Sequence, residues 1–251
     1  MASVEPSLAA RDPSAPVPLT YAQEVLWLLD RSTRGLTAYN QPHAWRVRGA
    51  LDIAALERAV CALVARHEAL RTVFESREGG AVQVILPAPE ALTIAMRDVS
   101  LQPPDEREGA AMAELRALSD TPFELDREPG FRVVLARIAA GDHILLIVIH
   151  HIVHDYGSRG VMWEELSVLY DAAVRGVAAG LAPVGLQFGD FAAWQRETIR
   201  GDRAQERLAH WRTVLADLPT LNLPTDHAPA TTPRRAACLA GRPSWPAPGT
   251  R

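Results

Sequence analysis

Cysteine is nearly missing from this 251-residue chain, which contains only Cys61 and Cys238. The two stand at no metal-binding or redox spacing, which excludes a cysteine-rich zinc module and a disulfide-stapled secreted fold. A reducing, cytoplasmic setting is expected, with Cys61 as a buried thiol among apolar neighbours. Positive charge is not in excess either: 26 Lys+Arg face 30 Asp+Glu, a net charge of −4, and no basic stripe offers itself to nucleic acid. No run approaches the ~18 consecutive apolar residues of a spanning helix. The opening MASVEPSLAARDPSAPVPL has no basic stretch followed by an apolar one, so neither a standard secretory signal nor a membrane partner is expected. A G-x-S-x-G nucleophile elbow is also absent.

What is present is enough apolar material, 48% of residues, to bury a substantial core. Residues 1–18, rich in Pro, Ala and Ser without a period, read as a flexible leader. In LTYAQEVLWLLDRS, Thr20 is placed to cap a helix, and HAWRVRGA reads as a strand. Asp52 is placed to cap the helix of LDIAALERAVCALVAR, which should end between Arg66 and Ala69. RTVFES and AVQVIL flank REGG as a hairpin, and a helix weakened by Gly109 follows in PDEREGAAMAELRALSD. FRVVLARIA and HILLIVIHH form a second antiparallel pair, the latter so continuously apolar that it should be a central strand buried on both faces. A helix from Ser158 should stop at Gly180, and helices over 189–200 and 204–216 close the folded part. After Pro224 the sequence is proline-rich and aperiodic, and little packed structure is expected. This order predicts an α/β (α+β) layered sandwich with a mixed sheet flanked by helices.

The stretch IHHIVHDYGS concentrates polar chemistry at a strand end. His150 and His154 are four apart, as in zinc helices, with Asp155 or His143 as further ligands, but a strand context and the missing glutamate base argue against metal. Ser158 as a nucleophile lacks its elbow and fits a helix cap. Two readings stay open on the residues alone. One is an imidazole base held at a strand end with a carboxylate nearby. The other is a pair of histidines that straddle the sheet and simply satisfy neighbours.

Five segments, in order, resemble the condensation domains of nonribosomal peptide synthetases: PLTYAQEVLWLLD, RHEALRTVF, IHHIVHDYGS (the motif written HHxxxDG), FGDFAAWQRE and HWRTVLADLPTLNLPTD. The resemblance covers residues 18–226, all but the ends. It implies the N-terminal lobe of a chloramphenicol-acetyltransferase-like fold, in which two lobes form a V with a tunnel at their junction. It also implies formation of an amide between donor and acceptor thioesters on the phosphopantetheine arms of peptidyl and aminoacyl carrier proteins, with no bound cofactor. By position His151 is the implied catalytic residue and His150 its support. Asp155 takes a structural role through an ion pair with an arginine, for which Arg66 and Arg71 are the candidates. Trp194 and Gln195 are packing and positioning residues. Adenylation domains and a complementary C-terminal lobe are further implied partners. A coenzyme A-dependent acyltransferase of the same superfamily, or a non-catalytic interaction fragment, are the alternatives.

Two departures from the family pattern stand out. Tyr156 occupies the motif glycine's place with Gly157 after it, so the ring is expected to shape or narrow the tunnel. The chain is also about half a complete domain, so residues 227–251 read as a truncated or frame-shifted tail, and burial supplied by a second lobe is expected to be missing.

Overall fold

The computed structural model describes residues 7–33, 35–219, 221 and 224. In chain order the elements are β1 (Val17–Pro18), α1 (Tyr21–Ser32), β2 (Asn40–Arg48), α2 (Ile53–Arg66), a 3-10 turn (Glu68–Arg71), β3 (Thr72–Arg77), β4 (Gly80–Ile85) and β5 (Ala95–Asp98). There follow α3 (Arg107–Ser119), β6 (Phe131–Ala139), β7 (Asp142–His150), α4 (Tyr156–Arg175), α5 (Phe188–Thr198) and α6 (Gly201–Val214). A four-stranded sheet runs β2-β7-β6-β5, antiparallel except for the parallel β5–β6 pair, and a smaller antiparallel sheet runs β1-β4-β3. The expected mixed sheet flanked by helices is what the chain forms.

β7 is the central strand that its apolar run predicts. Leu145, Ile147 and Ile149 point to one face and pack with Leu56, Val60 and Leu63 of α2 and Leu166 of α4. Ile144, Leu146 and Val148 point to the other, where Leu115 of α3 and Phe74, Phe123 and Leu125 cover them. Successive strand side chains alternate between faces, so an unbroken apolar strand requires two cores. Each fully buried Leu or Ile contributes about 1.5–3 kcal/mol.

The caps form as their residue types require. Thr20 accepts from the amide of Gln23 while the Gln23 side chain accepts from the amide of Thr20, a reciprocal capping box, and Asp52 accepts from the amide of Ala55. Apart from shifts of up to three residues at other element ends, four expectations differ from the structure. β2 starts at Asn40 and ends at Arg48 instead of spanning 43–50, because it follows all nine residues of β7; Pro42 is tolerated since β2 is an edge strand. α4 begins at Tyr156 and ends at Gly176 rather than Gly180: Gly176 has φ 66°, the left-handed turn that closes a helix, and Val177 N–H returns to the carbonyl of Ala172. β5 was not foreseen, as all four of its residues are exposed and carry no apolar period.

The fourth concerns the leader. Residues 7–18 are not loose: Arg11 pairs with Asp190 (2.7 Å) and Glu68 (2.8 Å), both partners being largely buried, and Val17–Pro18 pair with β4. The expectation for residues 227–251 lies outside the described residues. No helix among the described residues is long and apolar enough to cross a membrane.

Candidate functional site

β7 delivers two histidines to the same place with opposite environments. The amide of His150 donates to the carbonyl of Gly130 and that of His151 to the carbonyl of Tyr39, both at 2.9 Å, so the strand end is held from two sides. His150 turns inward and is 1% exposed, between the rings of Tyr39 and Phe123. Its Nδ1 accepts from the amide of Ile152 at 3.2 Å. Burial first, and the neighbouring His151 second, push its imidazole down to about 4. His150 is therefore a neutral, fully buried imidazole. The close packing needs a glycine at 130, where a Cβ would come within 2.9 Å of the His150 Cβ.

His151 faces outward. Its Nδ1 donates to the carbonyl of His154 at 2.6 Å, an acceptor that cannot supply a proton, so the proton sits on Nδ1 and the lone pair on Nε2. Nε2 has no hydrogen-bond partner among the described residues. His151 lines a cleft of about 570 Å³ whose walls include Thr20 and Gln23 of α1, His67 before the 3-10 turn, Met162 of α4, and Leu186 and Phe188 at the start of α5. In a neutral imidazole held this way, Nε2 is the nitrogen left to accept a proton, as a general base must. The two histidines thus differ in surroundings: His150 accepts from the amide of Ile152 inside the core, and His151 stands at the cleft wall.

The carboxylate and arginines are arranged differently from the expectation. Asp155 caps α4, accepting from the amide (2.7 Å) and hydroxyl (2.6 Å) of Ser158, and these bonds hold its carboxyl below the usual range. Neither Arg66 nor Arg71 pairs with it. Arg66 binds Glu165 (3.0 Å) and the carbonyl of Ala182 (2.6 Å), tying α2 to α4 and to the loop beyond it, and Arg71 donates to the carbonyl of Leu86. The local reason is direction: α2 presents its C-terminal residues to the middle of α4, whereas Asp155 is spent on α4's first turn. Ser158 donates its hydroxyl to Asp155 from the third position of α4, so the N-cap is Asp155 and not Ser158 as expected.

Tyr156 is 81% exposed, carries the guanidinium of Arg159 over its ring at 4.8 Å, and is not among the residues that line the cleft; Gly157 is. A Cβ at Gly157 would meet only Asp155 Oδ1 at an ordinary 3.5 Å. The ring of Tyr156 therefore stands outside the cleft wall of this chain. Gln195 accepts from the amide of Tyr21, and Trp194 stacks on Phe191, consistent with positioning and packing. No group of three or more His, Cys, Asp and Glu that could hold a metal exists among the described residues. His143 is at the opposite end of β7 from His150, and His154 Nδ1 is bound to Gln41.

Sequence reasoning missed His67, Gln23 and Gln41. His67 Nε2 lies 2.5 Å from Glu165, and Gln23 donates to the carbonyl of Ile152 at 3.1 Å, next to His151. Only Gln23 left a signal, the T-x-x-Q spacing of a capping box.

The condensation domain family matches residues 14–237. The chain belongs to the condensation domain family. Among curated relatives of this domain, one of the proteins that make up the linear gramicidin synthase of Brevibacillus parabrevis is 42% identical over 213 residues, covering 84% of this chain and 3% of that protein. Cyclosporin synthetase of Tolypocladium inflatum is 38% identical over 233 residues, covering 90% of the chain and 2% of that protein. The chain thus spans a few per cent of the length of these synthetases. Among solved structures, the X-domain from teicoplanin biosynthesis superposes with a TM-score of 0.78 at 32% identity, over 89% of this chain and 48% of that one. The first condensation domain of the calcium-dependent antibiotic synthetase, in complex with a substrate analogue, gives 0.71 at 27%, over 82% and 49%. This condensation domain sequence therefore spans about half the length of the solved domains it resembles.

Proposed function

We propose that this chain supplies the N-terminal lobe, and the reactive imidazole, of a site that joins two carrier-protein-bound thioesters through an amide. The observation that carries it is His151 on the cleft wall, with Nδ1 bonded to the carbonyl of His154 and Nε2 unpartnered among the described residues. The amine nitrogen of the acceptor bonds to the carbonyl carbon of the donor thioester, and the carbon–sulfur bond breaks. Nε2 takes the proton that the nitrogen sheds and passes it to the departing sulfur, which leaves as the thiol of the donor's phosphopantetheine arm. No oxidant and no bound cofactor is required. Peptidyl and aminoacyl carrier proteins are the partners of this reading, with a complementary C-terminal lobe closing the cleft and adenylation domains upstream of the thioesters.

The test is amide formation between aminoacyl and peptidyl carrier proteins, with the chain alone and with a supplied C-terminal lobe. Product should appear with the lobe present and fall about 100- to 10,000-fold in His151→Ala, the range a positioned general base contributes. Absence of product under both conditions overturns the enzymatic reading.

A second reading, a binding module, is favoured by one observation: the X-domain, similar to this chain at 30% identity and a TM-score of 0.78, was solved as a complex with OxyB. It predicts no amide product and a fold that survives His151→Ala unchanged.

A further inference from the structure

The turn between β7 and α4 has to place one imidazole, and its two halves are anchored separately. The first half is tied by the amide of Val153 to the carbonyl of His150 (3.1 Å) and by Gln23 to the carbonyl of Ile152. The second half contains His154, whose carbonyl is the acceptor that keeps the proton on His151 Nδ1. The side chain of His154 is buried at 6% exposure, and its Nδ1 donates to Oε1 of Gln41 at 2.8 Å. Gln41 sits on β2 directly opposite Ile149 of β7, where a nine-residue ladder fixes it. His43, two residues along and on the same face, meets the His154 ring edge-on at 5.3 Å. A chain of contacts therefore runs from the edge strand, through the Gln41 amide, the His154 ring and the His154 carbonyl, to His151.

We propose that Gln41 and His154 are positioning residues for His151: together they pin the carbonyl that decides which nitrogen of the reactive imidazole carries the proton. A neutral imidazole has one N–H. If the carbonyl moves away, the proton is free to occupy Nε2, and the nitrogen facing the cleft loses the lone pair that the reaction needs. The histidine in this position of the motif is thus tied to the chemistry through its backbone, and its side chain is the anchor. The inference rests on His151 being the reactive group of the cleft.

The test uses the full chain labelled with nitrogen-15 and reads the imidazole nitrogens by NMR at pH 7.5, with the His151 signals assigned by their loss in His151→Ala. In the unsubstituted protein the His151 pattern should be that of a proton on Nδ1. Gln41→Leu removes the acceptor, and the ratio of Nδ1–H to Nε2–H forms should fall about three- to tenfold, the worth of one hydrogen bond. Gln41→Glu keeps an acceptor oxygen at similar reach and should retain the original pattern. His154→Phe keeps the ring contact with His43 and deletes Nε2, a buried nitrogen with no hydrogen-bond partner, so folding is expected to survive. It should shift His151 as Gln41→Leu does, with the double variant shifting it no further. An unchanged His151 pattern in folded His154→Phe overturns the proposal, whatever Gln41→Leu does to folding. The readout needs no product, so a chain that makes no amide but shows the shift sinks the functional reading and leaves the positioning intact.

Discussion

Burial pushes His150 and His43 both down to about 4; for His43 the neighbouring His154 and Arg159 add to it. His154 is lowered too, by burial first. In the unfolded chain these imidazoles titrate near 6.5. Above that pH both states are neutral and the contribution to stability is complete. As pH falls from about 6.5 towards 4, the unfolded chain takes up protons that the folded one refuses, and stability is lost. The slope is at most about 1.4 kcal/mol per pH unit for each histidine. The carboxylates of Asp142 and Asp155, held low by Arg46 and by Ser158, lose their contributions only further down, whereas Asp30, raised by burial, opposes the trend as it protonates. Urea midpoints should drop across that window, and His43→Phe should flatten the slope by about one histidine's share; a flat wild-type profile would refute this. At this scale the alternation of strand faces was enough to expect His150 and His151 to lie in different surroundings, while the role proposed for His151 rests on the family resemblance. Gln41 was not legible, because its bond to His154 joins residues 113 apart and no local pattern encodes such a pair.

α4 starts where Asp155 starts it, and the position that family resemblance assigns to an ion pair is here a cap. A cap and an ion pair predict different substitutions. Asp155→Ala should cost about 1 kcal/mol in urea unfolding, whereas Asp155→Asn, which still accepts from the amide of Ser158, should cost only a few tenths. Equal losses in the two variants would restore the ion-pair role. β6 enters beside the site through Gly130, and here sterics decide: Gly130→Ala pushes a methyl group against the rigid His150 Cβ and should destabilise by about 1–3 kcal/mol, measured by the same unfolding curves. Elements with strong local signals were readable from the sequence, including β7 from its apolar run and α1 and α2 from their capping residues. β1 and β5 were not, since two residues ending in proline and four exposed residues gain their structure from backbone pairing with neighbours already in place. The end of α4 offered two glycines within five residues, and only the left-handed backbone at Gly176 distinguishes them.

α6 has no buried residue, yet Leu208, Trp211 and Leu215 recur at i, i+3 and i+7, and all three are exposed, as is Val214 between them. A helix facing water on every side does not need such a stripe, so we expect this surface to be covered by a partner. Val25, Leu28 and Leu29 leave a second apolar group exposed on α1. Covering each large side chain is worth about 1.5–3 kcal/mol, so several together supply enough to drive association once the cost of pairing is met. The match covers only 49% of the first condensation domain of the calcium-dependent antibiotic synthetase, which is consistent with a second lobe as the natural cover. When the chain is alone, light scattering behind size exclusion should find self-association that grows with concentration. Replacing Leu208 and Trp211 together by glutamate should return a monomer and abolish binding of an apolar dye. Because α6 contributes nothing to the buried core, the same substitutions should move the unfolding midpoint by less than about 0.5 kcal/mol. A wild-type monomer at every concentration, without dye binding, would show that this face is stable in water and would remove the argument for a cover.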